Sequence, residues 1–193
     1  MEHAALVVLA VLWCLFGLIY VAGRRGAAPG TKTTARSGTS RLGIAMQLLG
    51  YAIVFAVERP SRTPIVPMPD AAAGIVLAVA TLTGVASIVL CHLAARTLGK
   101  QWSMAARVVS GHELIRQGPC SIVRNPIYLA MFGLLVQAGI VVSVWKAVVP
   151  AMAVFLFGTW IRIHEEEKIL RREFGAAFDD YARRVPAFIP RIR

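Results

Sequence analysis

Residues 127–161 read IYLAMFGLLVQAGIVVSVWKAVVPAMAVFLFGTWI, 35 positions interrupted by a single charge, Lys146. A membrane-crossing helix needs about 20 apolar residues, so this stretch is too long for one crossing and too apolar for water. It is predicted to fold back as a helical hairpin that turns near Lys146 and Pro150, because proline interrupts the helical hydrogen-bond ladder. The rest of the chain has the same character. Of its 193 residues 57% are hydrophobic and 16% are charged, with a mean hydropathy of +0.64, whereas an ordinary soluble domain carries about 25% charged residues. These proportions exclude a two-domain soluble enzyme, a disordered chain, a collagen-like fibre and a disulfide-stapled secreted module.

Three further apolar runs precede the hairpin. Residues 4–22 are uninterrupted and end at Arg24 and Arg25. The positive charge follows the apolar stretch instead of leading it, which predicts a retained first helix and not a cleaved signal peptide. A linker from Gly23 to Arg41, rich in Gly, Thr and Ser, leads to a second run over 42–57. That run covers only about 24 Å of a roughly 30 Å hydrocarbon core. Pro60, Pro64, Pro67 and Pro69 then forbid a helix, and the third run, 71–95, ends at Arg96. The expectation is one integral membrane domain over 1–193, all-α, with five spans at 4–22, 42–57, 71–95, 127–144 and 148–163. No internal repeat suggests an inverted-repeat transporter.

The 21 Lys and Arg outnumber the 10 Asp and Glu, giving a net charge of +11. The basic residues lie in the gaps between apolar runs and form no single solvated patch, so the expected partner is a bilayer with anionic headgroups and not nucleic acid. Segments 23–41, 96–126 and 162–193 hold 18 of the 21, and only Arg59, Arg62 and Lys146 fall on the other side. This bias predicts an outside N-terminus, a cytoplasmic C-terminus and cytoplasmic segments at 23–41, 96–126 and 164–193. Arg outnumbers Lys 17 to 4. With the many Ala and Gly residues, that composition suits a GC-rich bacterial genome and hence a bacterial inner membrane. Cys14, Cys91 and Cys120 show no Cys-x-x-Cys or Cys/His spacing, so neither a disulfide nor a metal site is expected.

Two polar segments flank the hairpin on the expected cytoplasmic side, where a soluble cofactor would meet them. The first carries Leu98-Gly99-Lys100-Gln101-Trp102-Ser103, Gly111-His112-Glu113-Leu114-Ile115, Gln117-Gly118-Pro119-Cys120 and Arg124-Asn125-Pro126-Ile127-Tyr128. The second carries Arg162, His164-Glu165-Glu166-Glu167, Phe174-Gly175, Tyr181 and Val185-Pro186. Asn125 before Pro126 suits a helix start, with the Asn side chain capping free amides. Those amides and the positive end of the helix dipole would equally attract a carboxylate. Arg124 is placed either for that carboxylate or for a lipid phosphate. Tyr128 is either an interfacial aromatic or a ring offered to a cation; Trp102, Trp145 and Trp160 read as interfacial aromatics. Arg162 and Glu166, four apart, share a helix face, as a surface ion pair or as a functional pair at the membrane edge. From Glu165 to Arg184 the pattern predicts an amphipathic interfacial helix, with Leu170, Phe174, Phe178 and Tyr181 as its packing stripe.

The order and spacing of these pieces, over about residues 96 to 190, resemble the isoprenylcysteine carboxyl methyltransferase family and its relatives among the membrane phospholipid methyltransferases. The family's Gly-His-x-Leu has its counterpart in Gly111 to Leu114, and its Gly-x-Tyr in Gly118-Pro119-Cys120. Its Arg-His-Pro-x-Tyr is matched by Arg124 to Tyr128, and its Glu-Glu pair, Phe-Gly and Tyr follow the last span in the same order. Cys120 stands where Tyr is usual and Asn125 where His is frequent.

The resemblance implies a membrane bundle with a cytoplasmic cofactor-binding loop and a C-terminal interfacial helix. It implies S-adenosylmethionine as cofactor, held by His112, Glu113, Leu114, Ile115, Cys120, Asn125, Pro126, Tyr128, Glu166 and Glu167. It makes Arg162 the catalytic residue, in contact with a lipid-like or prenylcysteine-like small acceptor, and it implies no metal. An acceptor carboxylate is already ionised at pH 7, so transfer requires alignment and desolvation and no general base. Two alternatives stay open. One is a phospholipid N-methyltransferase, in which Arg162 binds phosphate and a base such as His164 takes the proton. The other is a non-catalytic membrane protein that retains the fold.

Overall fold

In hydrocarbon every backbone N–H and C=O must be paired within its own segment, so the apolar runs have little choice but to be helical. The computed structural model of the protein describes residues 2–26, 38–57, 69–99 and 114–190. Among these residues six α-helices follow in order: α1 (Glu2–Gly26), α2 (Gly38–Ala56), α3 (Asp70–Leu98), α4 (Pro126–Val142), α5 (Trp145–Phe174) and α6 (Ala176–Arg184). A short 3-10 helix, Gly118–Ser121, lies in the loop before α4. Helices α1, α2, α3 and α5 are long and apolar enough to cross a membrane, and α4 is an apolar helix of 17 residues. The chain is an all-α, multi-pass membrane bundle.

The hairpin turns earlier than expected, at Ser143 and Val144, so that Lys146 lies in the first turn of α5 and Pro150 inside the helix. The physical reason is local. Ser143 N–H closes on Gly139 O at 3.1 Å and its hydroxyl donates to Val57 O at 2.8 Å, which ends α4 against the end of α2. Pro150 removes one hydrogen bond near the start of a long helix and does not break it. At the other end α5 runs past 163 to Phe174 and stops at Gly175, whose φ of 50° is open to glycine at little cost. The expected single amphipathic helix over 165–184 is therefore two pieces: the end of α5, and α6 turned back against the bundle.

Helix α4 is the central element and touches α1, α2, α3 and α5. Its 17 residues reach only about 26 Å, yet Leu134, Leu135 and Ala138 are fully buried among its neighbours. Phe155 of α5 is likewise buried and meets the Tyr51 ring edge-on at 5.5 Å and the Phe132 ring at 5.9 Å. The Tyr51 hydroxyl donates to Met131 O at 2.7 Å, tying α2 to α4. The most extensive pairing joins α2 to α5, and glycine makes it possible. A Cβ on Gly158 would lie 2.7 Å from Gly43 O and 2.8 Å from Met46 Cβ, and one on Gly50 would lie 2.9 Å from Ala151 O. Apolar burial gives little drive between helices in lipid, so such close backbone approach supplies the dispersion contact. Leu6 and Val7 of α1, Ile75 and Leu82 of α3, and Phe157 and Trp160 of α5 point outward, as a lipid-facing surface requires.

Candidate functional site

The segment before α4 is held by the C-terminal end of the described chain. Arg124 N–H donates to Pro186 O at 2.9 Å and Asn125 N–H to Ala187 O at 3.2 Å, a short backbone pairing across some 60 residues. The Asn125 side chain does not cap α4; its Nδ2 donates to the same Ala187 carbonyl at 2.8 Å. Arg124 reaches both ways. Its Nε and Nη2 hold Glu167 Oε1 at 3.1 and 2.5 Å, while Nη1 donates to Ala182 O at 2.9 Å and to Val185 O. Its guanidinium also lies 6.0 Å from the centre of the Phe178 ring. Phe178 and Tyr181, the buried face of α6, close the arrangement, and the Tyr181 hydroxyl donates to Cys120 O at 2.6 Å. Burial pushes the Cys120 thiol up to about 11. The Tyr181 phenol is raised too, first by burial and then by the neighbouring Cys120.

Between this latch and the ends of α3 and α5 lies an open-mouthed cavity of about 100 Å³. Its wall is made by Leu98, Leu114, Ile115, Cys120, Arg124, Asn125, Glu166, Glu167, Leu170, Phe178 and Tyr181. Two carboxylates thus face a mostly apolar, partly aromatic lining. That combination suits a flat ring with polar substituents: apolar walls for the ring, and acceptor oxygens for hydroxyl or ammonium groups.

Behind Glu166, one helical turn deeper, sits a second polar group. The Tyr128 hydroxyl donates to Glu166 Oε1, and Arg162 Nη2 lies 3.5 Å from the same oxygen. The Arg162 guanidinium stacks over the Tyr128 ring at 4.7 Å. Arg162 is 5% exposed, and its Nη1 donates to Gln47 Oε1 at 3.0 Å; Gln47 Nε2 in turn donates to Thr159 Oγ1 at 2.8 Å. An arginine placed this deep must be paired on several sides, because isolated charge is costly in a low-dielectric setting.

Of the residues singled out from the sequence, Leu114, Ile115, Cys120, Asn125, Glu166 and Glu167 line the cavity, and Tyr128 and Arg162 join it through Glu166. Pro126 is buried at the first position of α4 and is not on the wall. His112 and Glu113 lie outside the described residues. His164 is exposed, its ring 4.4 Å from that of Trp160. Leu170, Phe178 and Tyr181, read as a packing stripe, serve the wall as well. Sequence reasoning missed Gln47; its signal was a carboxamide in the middle of an apolar run, which a span tolerates only with partners. Among the described residues no group of three or more His, Cys, Asp or Glu side chains is placed to hold a metal ion.

The chain is similar to known proteins over about half of its length. Over 100 residues it is 38% identical to the nickel-cobalt-cadmium resistance protein NccN of Alcaligenes xylosoxydans xylosoxydans, a match covering 50% of this chain and 45% of that protein. It is 34% identical, again over 100 residues, to the cobalt-zinc-cadmium resistance protein CzcN of Cupriavidus metallidurans, covering 50% of this chain and 44% of that one. The matched stretch thus spans less than half the length of either relative. The model of the isoprenylcysteine carboxyl methyltransferase family matches residues 78–172, which run from α3 through the loop and α4 to the end of α5. That stretch, which carries Glu166, Glu167 and Arg162 together, is similar to the isoprenylcysteine carboxyl methyltransferase family.

Proposed function

We propose that the protein is an S-adenosylmethionine-dependent methyltransferase that acts within the membrane on the carboxylate of a prenylcysteine-like or other lipid-like acceptor. The observation that carries this reading is the cavity with Glu166 and Glu167 on its wall and the buried Arg162 directly behind. The lining fits the cofactor's chemistry. Leu98, Leu114, Ile115 and Phe178 suit an adenine ring, and Glu166 or Glu167 would accept hydrogen bonds from ribose hydroxyls or the amino group. When bound, the cofactor supplies an electrophilic methyl group on a sulfonium.

The chain's own residues do the remainder. The Arg162 guanidinium offers hydrogen-bond donors and no acceptor, so it orients an acceptor carboxylate without taking a proton from it. The buried surroundings of Arg162 exclude water, which strengthens that contact. Arg124 and Asn125 belong to the latch and shape the wall; their side chains are engaged with Glu167 and with the carbonyls of 182, 185 and 187. In the orientation expected from the charge bias, this cavity would open to the cytoplasm, where a soluble cofactor would reach it, and the acceptor would arrive from the bilayer.

Calorimetric titration of detergent-purified protein with S-adenosylhomocysteine tests the cofactor. The expected result is binding to wild type and its loss in Glu166→Ala. A folded wild type that does not bind overturns the reading in favour of a non-catalytic membrane protein. Base treatment of radiolabelled product separates the acceptors, since a methyl ester is hydrolysed and an N-methyl amine is not.

A further inference from the structure

Helix α2 lies wholly outside the matched stretch 78–172, yet it supplies two of the closest approaches to Arg162. A Cβ on Gly43 would lie 2.6 Å from Arg162 Cγ, so the stem of the arginine runs across the bare backbone of α2 at that point. One turn further along the same face, Gln47 meets the head. It is 2% exposed and its carboxamide is used at both ends, accepting from Arg162 Nη1 at 3.0 Å and donating to Thr159 Oγ1 at 2.8 Å. The guanidinium can only donate, so it takes the Oε1 end of the amide and leaves Nε2 to donate to Thr159, whose hydroxyl accepts.

We propose that Gln47 is a positioning residue for Arg162, so that α2 completes the acceptor-binding end of the site; this rests on the function proposed above. The choice of a carboxamide has a chemical reason. A neutral acceptor oxygen fixes the guanidinium plane without adding a second carboxylate to Glu166, which already lies 3.5 Å from Nη2. A glutamate at the same place would fix the plane and neutralise the charge. With Tyr128 stacked on one face of the guanidinium at 4.7 Å and Glu166 at 3.5 Å from Nη2, Gln47 sets the rotation that directs the fork.

The test uses the full chain in detergent, with Gln47→Leu, Gln47→Glu and Thr159→Val. The first readout is nuclear magnetic resonance of ¹⁵N-arginine protein, with the Arg162 Nη signals identified by their loss in Arg162→Lys. A held guanidinium gives two resolved Nη signals. Gln47→Leu is expected to merge them, Thr159→Val to broaden them and Gln47→Glu to keep them apart. The second readout is initial-rate kinetics with N-acetyl-S-farnesylcysteine as the acceptor probe, beside S-adenosylhomocysteine affinity. Gln47→Leu is expected to lower kcat by about 10- to 100-fold, the scale of a reacting group misplaced by about 1 Å, with analogue affinity within about twofold of wild type. Gln47→Glu is expected to raise KM for the anionic probe about 10-fold. Resolved Nη signals in folded Gln47→Leu overturn the proposal, and so does a parallel loss of analogue affinity and kcat, which marks a structural role. Should Gln47→Leu not fold, Thr159→Val decides: unchanged Nη signals overturn it. A wild type that neither binds the analogue nor methylates the probe overturns the function proposed above, while the Nη signals still decide whether Gln47 holds Arg162.

Discussion

Arg124→Gln removes the guanidinium that ties Glu167 to the carbonyls of Ala182 and Val185. Each net hydrogen bond to a charged group contributes about 1.5–3 kcal/mol, and separating a buried ion pair costs about 3–5 kcal/mol. The side chains of Arg124 and Glu167 are 11% and 18% exposed, so Glu167 regains some water once freed. The bonds also share one guanidinium and do not add, which places the loss near the lower bound, about 3 kcal/mol. The loss falls on local opening of the latch and not on the spans, because the contacts that α2, α4 and α5 make with one another are untouched. At about 1.4 kcal/mol per factor of ten, opening becomes about 100-fold more populated. Hydrogen exchange reads this directly at the amides of residue 124, Asn125 and Val185, which donate to Pro186, Ala187 and Tyr181 carbonyls. Their exchange is expected to quicken about 100-fold while amides in the middle of α4 stay slow. Unchanged exchange, together with weakened S-adenosylhomocysteine binding, refutes the latch and assigns Arg124 to the ligand.

Three further outcomes follow from the same geometry. Gly158→Ala forces Gly43 O away from a 2.7 Å contact and is expected to cost about 1–3 kcal/mol in thermal unfolding in detergent; Gly17→Ala, with nothing within 4 Å of the new methyl, is the control and stays neutral or gains slightly. Cys120, with its thiol held up to about 11 by burial, stays protonated through pH 9.5, so its iodoacetamide reaction, followed by peptide mass, is slow and shows no inflection near the ordinary thiol value of about 8.5; an inflection there refutes its burial in solution. Tyr181→Phe removes the donor at 2.6 Å from Cys120 O and is expected to cost about 1–3 kcal/mol, visible as faster exchange in α6; no change means the carbonyl finds water instead.

The hairpin was legible because 35 residues with one charge admit no other membrane solution. The position of its turn was not, since Ser143 is chosen by a partner, Val57 O, that lies 86 residues away. Glu166 and Glu167 could be picked out by motif order. Their different tasks could not, because sequence spacing does not say that Arg124 reaches Glu167 while Tyr128 and Arg162 reach Glu166. Asn125 shows the limit of local rules: its sequence context is a helix cap, but the pairing to Ala187 claims the side chain. Gln47 was hidden because an amphipathicity reading weighs a polar residue in a span only by its cost, and its value here arises from Arg162 on another helix.

The break at Gly175 has a consequence for the order of biosynthesis. Helix α6 and the carbonyls of Ala182, Val185, Pro186 and Ala187 follow α5 in the chain, yet they fasten the loop that precedes α4. During synthesis the helices would be laid into the bilayer with that loop untethered, and one wall of the cavity would come into being only when the segment after Gly175 emerges and swings back. Assembly of the bundle and maturation of the ligand cavity are therefore successive events, and a ribosome stalled between α5 and α6 would leave an inserted protein with an unfinished site.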